Sequence, residues 1–157
     1  MLPIGWYRFG IKIRDEYLTN KIEMSNWHVG YHGTNINVVK SIIEHKRIMF
    51  PGDTLNDGTK LPSVHGQCFG KEFKSTVIYV SPSIKYAMQY SYGSKFKGKN
   101  VKTVFQCRIK PGTYKKRKET LELKSNIDEN FSNQEIEWVT DNRTVVVPFG
   151  LLIGFFN

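Results

Sequence analysis

The segment Val101–Ile109 constrains the fold most strongly, because its apolar residues recur at every second position. This alternation predicts a β-strand with one buried face, formed by Val101, Thr103, Phe105, Cys107 and Ile109. Shorter strands are predicted over residues 27–32, 77–80, 135–140, 144–147 and 151–155. Strands therefore outnumber helices, which predicts an α+β fold built on antiparallel or mixed sheets.

Two helices are predicted between these strands. The first is capped by Thr34 or Asn35 and runs to about His45, with an apolar face made of Ile36, Val39, Ile42 and Ile43. The second begins at Ser81-Pro82, because serine caps helices well and proline suits the first turn. Its buried stripe consists of Ile84, Ala87 and Met88.

Two long connections join these elements. Phe50–Ser75 contains many glycines, prolines and turn-forming pairs and shows little periodicity. A loop of that length inside a compact domain is usually functional. Thr113–Asn133 is polar and is predicted to be mostly loop.

The charge of the chain is high for its length. The 157 residues are predicted to form one domain, 1–157, which is large enough to bury a core. Much of the net charge of +9 lies in two lysine-rich segments, 95–102 and 115–118. Such segments are either solvated surface or a surface that attracts a polyanion: nucleic acid, an acidic protein or a dinucleotide. Charge alone does not distinguish these possibilities.

The cysteines and the apolar tracts indicate in which cellular compartment we expect the protein. Cys68 and Cys107 lack metal-ligand spacing, so we expect buried thiols in a reducing compartment and neither a zinc site nor a disulfide framework. The tract Val145–Phe156 is too short and interrupted to span a bilayer, and the N-terminus lacks a secretory pattern. We therefore expect an intracellular protein, cytoplasmic or nuclear. The boundaries near Trp6 and Phe156 favour a module of a larger protein.

His32 lies at the end of a predicted strand, directly before Gly33 and Thr34. A lone histidine at a turn most often bonds the backbone, but a glycine beside it lets a ligand approach the main chain. The N–H and C=O of one exposed residue supply the donor and the acceptor that a carboxamide, such as that of nicotinamide, requires.

Tyr79 and Tyr90 are eleven positions apart, one at the end of a strand and the other on the helix that follows. Each alone is typical of a core aromatic residue. As a pair they can face one gap, where two rings hold a planar pyridinium by stacking and cation–π attraction. Tyr86 is expected one turn from Tyr90, away from the buried stripe.

Glu135 and Glu137 are two positions apart on a predicted strand, so we expect their side chains on the same face. This face is either solvated, with Ile136 and Trp138 inside, or it holds a carboxylate beside a ribose. In the second case the carboxylate bonds the 2′-hydroxyl and stabilises positive charge at the anomeric carbon as nicotinamide leaves.

In this order the motifs resemble the His-Tyr-Glu signature of ADP-ribosyltransferases of the poly(ADP-ribose) polymerase type. The matching strings are Tyr31-His32-Gly33-Thr34, Tyr79-Val80-Ser81 with Tyr90, and Glu137-Trp138-Val139. Phe50–Ser75 falls where that family has a loop that closes over the donor. The resemblance covers about residues 27–155 and implies a split β-sheet core of mostly antiparallel strands with a few short helices.

The resemblance also implies an activity: cleavage of NAD at the nicotinamide–ribose bond and transfer of ADP-ribose to an acceptor, without a metal. It makes His32, Tyr79 and Glu137 catalytic. It assigns the adenosine-side ribose to His32, the carboxamide to the Gly33 backbone and the nicotinamide to Tyr79 and Tyr90, with Thr34 also in the NAD site. A protein side chain that receives a single ADP-ribose is the favoured acceptor, and nucleic acid is the alternative.

Two positions depart from the family pattern. Ala87 stands where the family often has a serine that bonds the carboxamide, and Glu135 creates a Glu-x-Glu pattern typical of arginine-modifying relatives. We favour Glu137 as the catalytic residue and Glu135 as an acceptor-side or accessory group. Two other interpretations stay open: a module that binds NAD, ADP-ribose or a partner protein without turnover, and a 2′-phosphotransferase acting on RNA, which the scarcity of arginine near the cleft disfavours.

Overall fold

The fold consists mainly of strands and confirms the α+β class. A computed structural model describes residues 4–19, 21–61, 77–92 and 94–157. The strands are β1 (Trp6–Gly10), β2 (His28–Thr34), β3 (Ile78–Val80), β4 (Lys95–Phe96), β5 (Lys99–Ile109), β6 (Lys115–Arg117), β7 (Glu137–Thr140) and β8 (Val146–Phe156). The α-helices are α1 (Asp15–Thr19), α2 (Lys21–Ser25), α3 (Ile36–His45) and α4 (Ile84–Ala87), and 3₁₀ turns cover Met88–Tyr90 and Arg143–Val145.

The strands form two antiparallel sheets. The larger has the order β1-β8-β5-β2, with β4 paired to β5, and the smaller has the order β3-β7-β6. An isolated bridge joins them, in which the N–H of Tyr31 bonds the carbonyl of Ser81 at 2.7 Å and the N–H of Ser81 bonds the carbonyl of Tyr31 at 2.8 Å. The end of β2 beyond this bridge is therefore positioned beside the smaller sheet without being paired to it.

β5 lies at the centre of the main core. Its predicted face is buried, with Val101, Thr103, Phe105, Cys107 and Ile109 each almost inaccessible. Side chains from α3, β3 and β8 cover part of this face, namely Ile42, Ile78, Val80, Val146 and Leu151. The Cys107 thiol is a small buried hydrophobe, as expected, and burial raises its pKa.

The C-terminal apolar run is one strand, and the prediction of two was wrong. Gln106 pairs with Gly150 while Cys107 pairs with Pro148, so the ladder between β5 and β8 contains a bulge at Phe149. The bulge leaves Phe149 out of the ladder, and the neighbouring Pro148, which has no N–H to donate, is tolerated at this irregularity. The strand therefore continues through Pro148 instead of ending there.

The caps of α3 and α4 differ in how well the sequence predicts them. Asn35 caps α3, as expected. Ser83, not Ser81, caps α4, since its Oγ accepts the Tyr86 N–H at 3.2 Å. Ser81 is already used by the bridge to Tyr31.

The buried faces of these helices were predicted only in part. In α4, Ile84 and Ala87 are buried, as predicted, and Met88 is partly buried. Tyr86, which was expected away from this stripe, is also buried. In α3 the predicted face was wrong in part, because Ile36 and Ile43 are 43% and 37% exposed. Ser41 is buried instead, and its Oγ accepts the N–H of Asn56 at 3.2 Å.

Three strands were not predicted from the sequence: β1, β4 and β6. β6 lies within the polar stretch 113–133, and three basic residues give no apolar alternation to reveal it. Of the predicted loop 50–75, residues 62–76 lie outside the described part of the chain, as does Cys68. In the ranges that are described, no helix has the length and apolar character needed to cross a membrane.

Gly33→Ala tests the contact between β2 and α4. A Cβ at Gly33 would lie 1.8 Å from the carbonyl oxygen of Ala87, so the backbone must move. We expect the free energy of unfolding to fall by about 1–3 kcal/mol, as measured by urea denaturation. In the control Gly10→Ala, a Cβ meets nothing within 4 Å, so we expect a change of no more than about 1 kcal/mol, in the stabilising direction. Equal stabilities of the two variants would contradict the assigned contact.

Candidate active site

A cavity of about 400 Å³ is lined by residues of both sheets. This volume is within the range of small-molecule sites, which is roughly 300–1,000 Å³. The cavity brings together six of the residues that the sequence singled out: His32, Gly33, Thr34, Tyr79, Tyr90 and Glu137. Residues of α3, α4 and the segment 48–61 also line it.

The ring of His32 is fixed by a contact between the sheets. Its Nδ1 lies 2.8 Å from the carbonyl oxygen of Tyr79. Because a carbonyl only accepts, Nδ1 must carry the proton, and Nε2 of the neutral ring is then the nitrogen with an acceptor lone pair. His32 thus has a defined tautomer at the cavity wall.

The backbone N–H and C=O of Gly33 point away from the larger sheet. The N–H and C=O of Tyr31 are both hydrogen-bonded to the backbone of Ser81. Successive residues of a strand point their N–H and C=O groups to alternate edges. The N–H and C=O of Gly33 therefore point to the same edge as those of Tyr31, where the cavity lies. Position 33 also requires glycine for a steric reason, because the carbonyl of Ala87 occupies the space that a Cβ would need.

Tyr79 and Glu137 lie on the same face of the smaller sheet. Tyr79 pairs with Val139, and residues directly opposite one another in a ladder share a face. Glu137 is two positions from Val139 and therefore points the same way. The register of β3 and β7 thus brings an aromatic ring and a carboxylate to one wall of the cavity.

Glu137 is a buried carboxylate, 2% exposed, with its Oε1 surrounded by donors. The Tyr86 hydroxyl donates to Oε1 through a short hydrogen bond. The Tyr90 hydroxyl lies 3.0 Å from Oε1, the Thr120 hydroxyl 2.6 Å and the Thr120 N–H nitrogen 3.3 Å. Hydrogen bonds to a charged acceptor are stronger than neutral ones, so this cluster offsets the desolvation of the carboxylate and fixes its orientation.

The second carboxylate oxygen of Glu137, Oε2, is not hydrogen-bonded like Oε1. Oε2 is buried and has no hydrogen-bond partner among the described residues. A buried acceptor left unsatisfied costs about 1–3 kcal/mol. Oε2 therefore keeps an unused capacity to accept a hydrogen bond.

The three tyrosines around Glu137 keep their protons to high pH. Burial, and then the hydrogen bond to Glu137, raises the pKa of Tyr86, and burial with the negative charge of Glu137 raises the pKa of Tyr90. The same two causes raise the pKa of Tyr79. Their hydroxyls are therefore neutral hydrogen-bond donors near neutral pH.

Glu135 does not share the face of Glu137, contrary to the prediction. β7 begins only at Glu137, and Glu135 lies in the preceding turn, where it is exposed. Its Oε2 lies 3.6 Å from Nζ of Lys116. Ile136, between the two glutamates, follows the turn and is buried. Of the two carboxylates, Glu137 alone lines the cavity.

Two residues of the Glu137 cluster were not among the predicted site residues. Tyr86 was expected one turn from Tyr90, and their hydroxyls are 2.9 Å apart. That spacing was a usable signal for Tyr86. Thr120 gave no signal, because it lies in a polar loop and reaches Glu137 only through the return of the chain after β6.

No protein-family model matches the chain. The part of the chain that is described contains no group of three or more histidine, cysteine, aspartate or glutamate side chains that could hold a metal ion.

Tyr86→Phe tests the energetics of this cluster. Because folding raises the pKa of Tyr86 above its ordinary 10.0, the unfolded chain loses this proton first, so the tyrosine's stabilising contribution is complete below about pH 10 and is lost as pH rises further. We expect Tyr86→Phe to lower the free energy of unfolding at pH 8 by about 1–3 kcal/mol. We also expect a shallower decline in stability above about pH 10, both from urea denaturation.

The matched control is Tyr7→Phe, which removes a hydroxyl from an exposed ring. Its stability at pH 8 should change by less than about 0.5 kcal/mol. A loss as large as that of Tyr86→Phe would contradict the importance of the buried hydroxyl.

Proposed function

We propose that the protein is an NAD-dependent ADP-ribosyltransferase with the split-sheet fold of the poly(ADP-ribose) polymerase type. The observation that carries this proposal is the state of Glu137, a buried carboxylate with one oxygen held by three hydroxyls and the other without a partner among the described residues. Such a group is suited to accept a ribose 2′-hydroxyl and to stabilise positive charge on the ribose.

The other walls of the cavity suit the donor. The N–H and C=O of Gly33 match the acceptor and donor of a carboxamide. Tyr79 and Tyr90 both line the cavity and offer aromatic faces to a pyridinium. Nε2 of His32 is an acceptor for a hydroxyl of the adenosine-side ribose when the ring is neutral.

In the proposed reaction the bond between the ribose C1′ and the nicotinamide nitrogen breaks, and its electron pair leaves with nicotinamide. A nucleophilic atom of the acceptor forms the new bond to C1′ and loses its proton, if it carries one, to solvent. Glu137 stabilises the positive charge that develops on the ribose. Tyr86, Tyr90 and Thr120 hold Glu137 in place, so it needs little reorganisation during the reaction.

Glu137→Gln is the direct test of this role. The amide keeps the shape of the side chain but loses the charge, so we expect nicotinamide release from NAD to fall by about 100–1,000-fold. Release is measured by chromatography, together with transfer of label from labelled NAD to protein.

The control is Glu135→Gln, which removes a carboxylate from the turn outside the cavity. We expect nicotinamide release to stay within about twofold of the unmodified protein, because an exposed ion pair contributes little. Loss of release in Glu135→Gln with normal release in Glu137→Gln would refute the assignment.

Tyr90→Phe separates two functions of one residue. The ring remains for stacking, while the hydrogen bond to Glu137 Oε1 is lost. We therefore expect kcat to fall by about tenfold, corresponding to about 1.4 kcal/mol, and KM for NAD to change little. Tyr90→Leu removes the ring as well and should also raise KM. A rise in KM without a change in kcat in Tyr90→Phe would argue against the link to Glu137.

A module that binds NAD or ADP-ribose without turnover is the second candidate. Ala87 favours it, because this residue lines the cavity and offers no hydroxyl to a carboxamide. Saturable NAD binding without nicotinamide release would identify this case. The 2′-phosphotransferase has less support, since among the described cavity-lining residues Lys60 is the one lysine or arginine available to phosphates.

A further inference from the structure

The edge strand β6 places basic residues beside the strand of Glu137. β6 is the outer strand of the order β3-β7-β6, and Lys115, Lys116 and Arg117 are all exposed. Among the described residues, the backbone of β6 pairs only with β7. The outer edge of β6 is thus a short row of backbone donors and acceptors flanked by positive charge.

Two of these charges lie on the face of the sheet that carries the cavity residues. Arg117 is directly opposite Glu137, and Lys115 is directly opposite Val139. Both therefore share the face of Glu137 and Tyr79. The effect of Arg117 extends to the cavity: burial and Glu137 raise the pKa of Tyr79, and the charge of Arg117 acts in the opposite direction.

Lys116 differs from its two neighbours. It points to the opposite face, and its Nζ lies 3.6 Å from Oε2 of Glu135. None of the ion pairs among the described residues involves Lys115 or Arg117. The positive charge at this edge is thus concentrated on the cavity face.

The edge is continuous with the catalytic carboxylate. The chain leaves β6 at Arg117 and reaches Thr120 three residues later, where both the N–H and the hydroxyl of Thr120 bond Glu137. A segment bound along β6 would lie one strand spacing, about 4.8 Å, from this strand. It would therefore lie two strand spacings, about 9.6 Å, from β7, the strand of Glu137.

An extended polypeptide can use both the backbone edge of β6 and its basic side chains. Its main chain can pair with the outer N–H and C=O groups of β6, as in β-strand addition. Exposed basic residues on an edge discourage pairing with basic or neutral strands, whereas acidic side chains at alternate positions would face Lys115 and Arg117. A nucleic acid could use the charges but not the backbone edge.

We propose that β6 binds the acceptor as an extended, acidic polypeptide segment added to the smaller sheet. This inference rests on the proposed transferase function for its role in catalysis, but the binding itself is measurable without turnover. Lys115 and Arg117 are the residues that select the segment.

Binding is tested with a fluorescein-labelled peptide of six glutamate–serine repeats, followed by fluorescence anisotropy with the full chain. We expect saturable binding that weakens at least about tenfold in the double variant Lys115→Gln, Arg117→Gln. A charge-matched double variant in the β4–β5 hairpin of the larger sheet, Lys95→Gln with Lys99→Gln, should change binding by less than about twofold. Lys116→Gln is a second control on the same strand.

Two further probes identify the class of partner. The same peptide with alternate backbone nitrogens methylated keeps its charge but cannot complete the edge pairing, so we expect it to bind more weakly. A single-stranded oligonucleotide of equal charge should bind less tightly than the peptide. Tighter binding of the oligonucleotide, or equal peptide binding by the two double variants, would overturn the proposal.

The same samples separate this proposal from the proposed function. Nicotinamide release by the unmodified protein in the absence of peptide reports on NAD cleavage alone. If release is absent but peptide binding depends on the two residues, the transferase function fails and the binding surface stands. If nicotinamide is released but peptide binding does not depend on the two residues, the proposed binding surface is wrong and the proposed function is unaffected.

Discussion

The backbone bridge between Tyr31 and Ser81 is the constraint on which the candidate site depends. It fixes β2 against the start of the segment that leads into α4 and so sets the relation of the two sheets. Because it uses the N–H and C=O of Tyr31, the strand alternation turns those of Gly33 toward the cavity. The same junction allows His32 to reach the carbonyl of Tyr79. A single pair of hydrogen bonds thus orients three parts of the cavity wall.

The burial of Glu137 is a second constraint on the site. A carboxylate removed from water needs hydrogen-bond donors, and the chain supplies them from α4, the following 3₁₀ turn and the loop after β6. The donors converge on Oε1, which leaves Oε2 as the oxygen with unused capacity. Tyr90 contributes both a ring to the cavity wall and a hydroxyl to this cluster, so aromatic stacking and carboxylate orientation depend on one side chain.

Sequence reasoning succeeded where burial follows periodicity and failed where it does not. The alternating face of β5 and the cap of α3 at Asn35 follow from local patterns. β6 could not be predicted, since an exposed basic edge has no apolar period, and Thr120 reaches Glu137 through a loop whose path no local pattern encodes. The position of Glu135 depended on where β7 begins, and strand ends are set by tertiary contacts more than by propensity. Six of the residues that line the cavity were identified through their order and spacing, whereas the function they serve there is proposed.

The long sequence separation of the cavity contacts has a consequence for folding. His32 and Tyr79 are 47 positions apart, as are Tyr90 and Glu137. Contacts of this kind form only after large loops have closed, so they are entropically expensive and form late. The cavity is thus a property of the docked sheets and not of either sheet alone. The smaller sheet, with strands of three and four residues, is the part whose local opening would dismantle the cavity while the larger sheet stays folded.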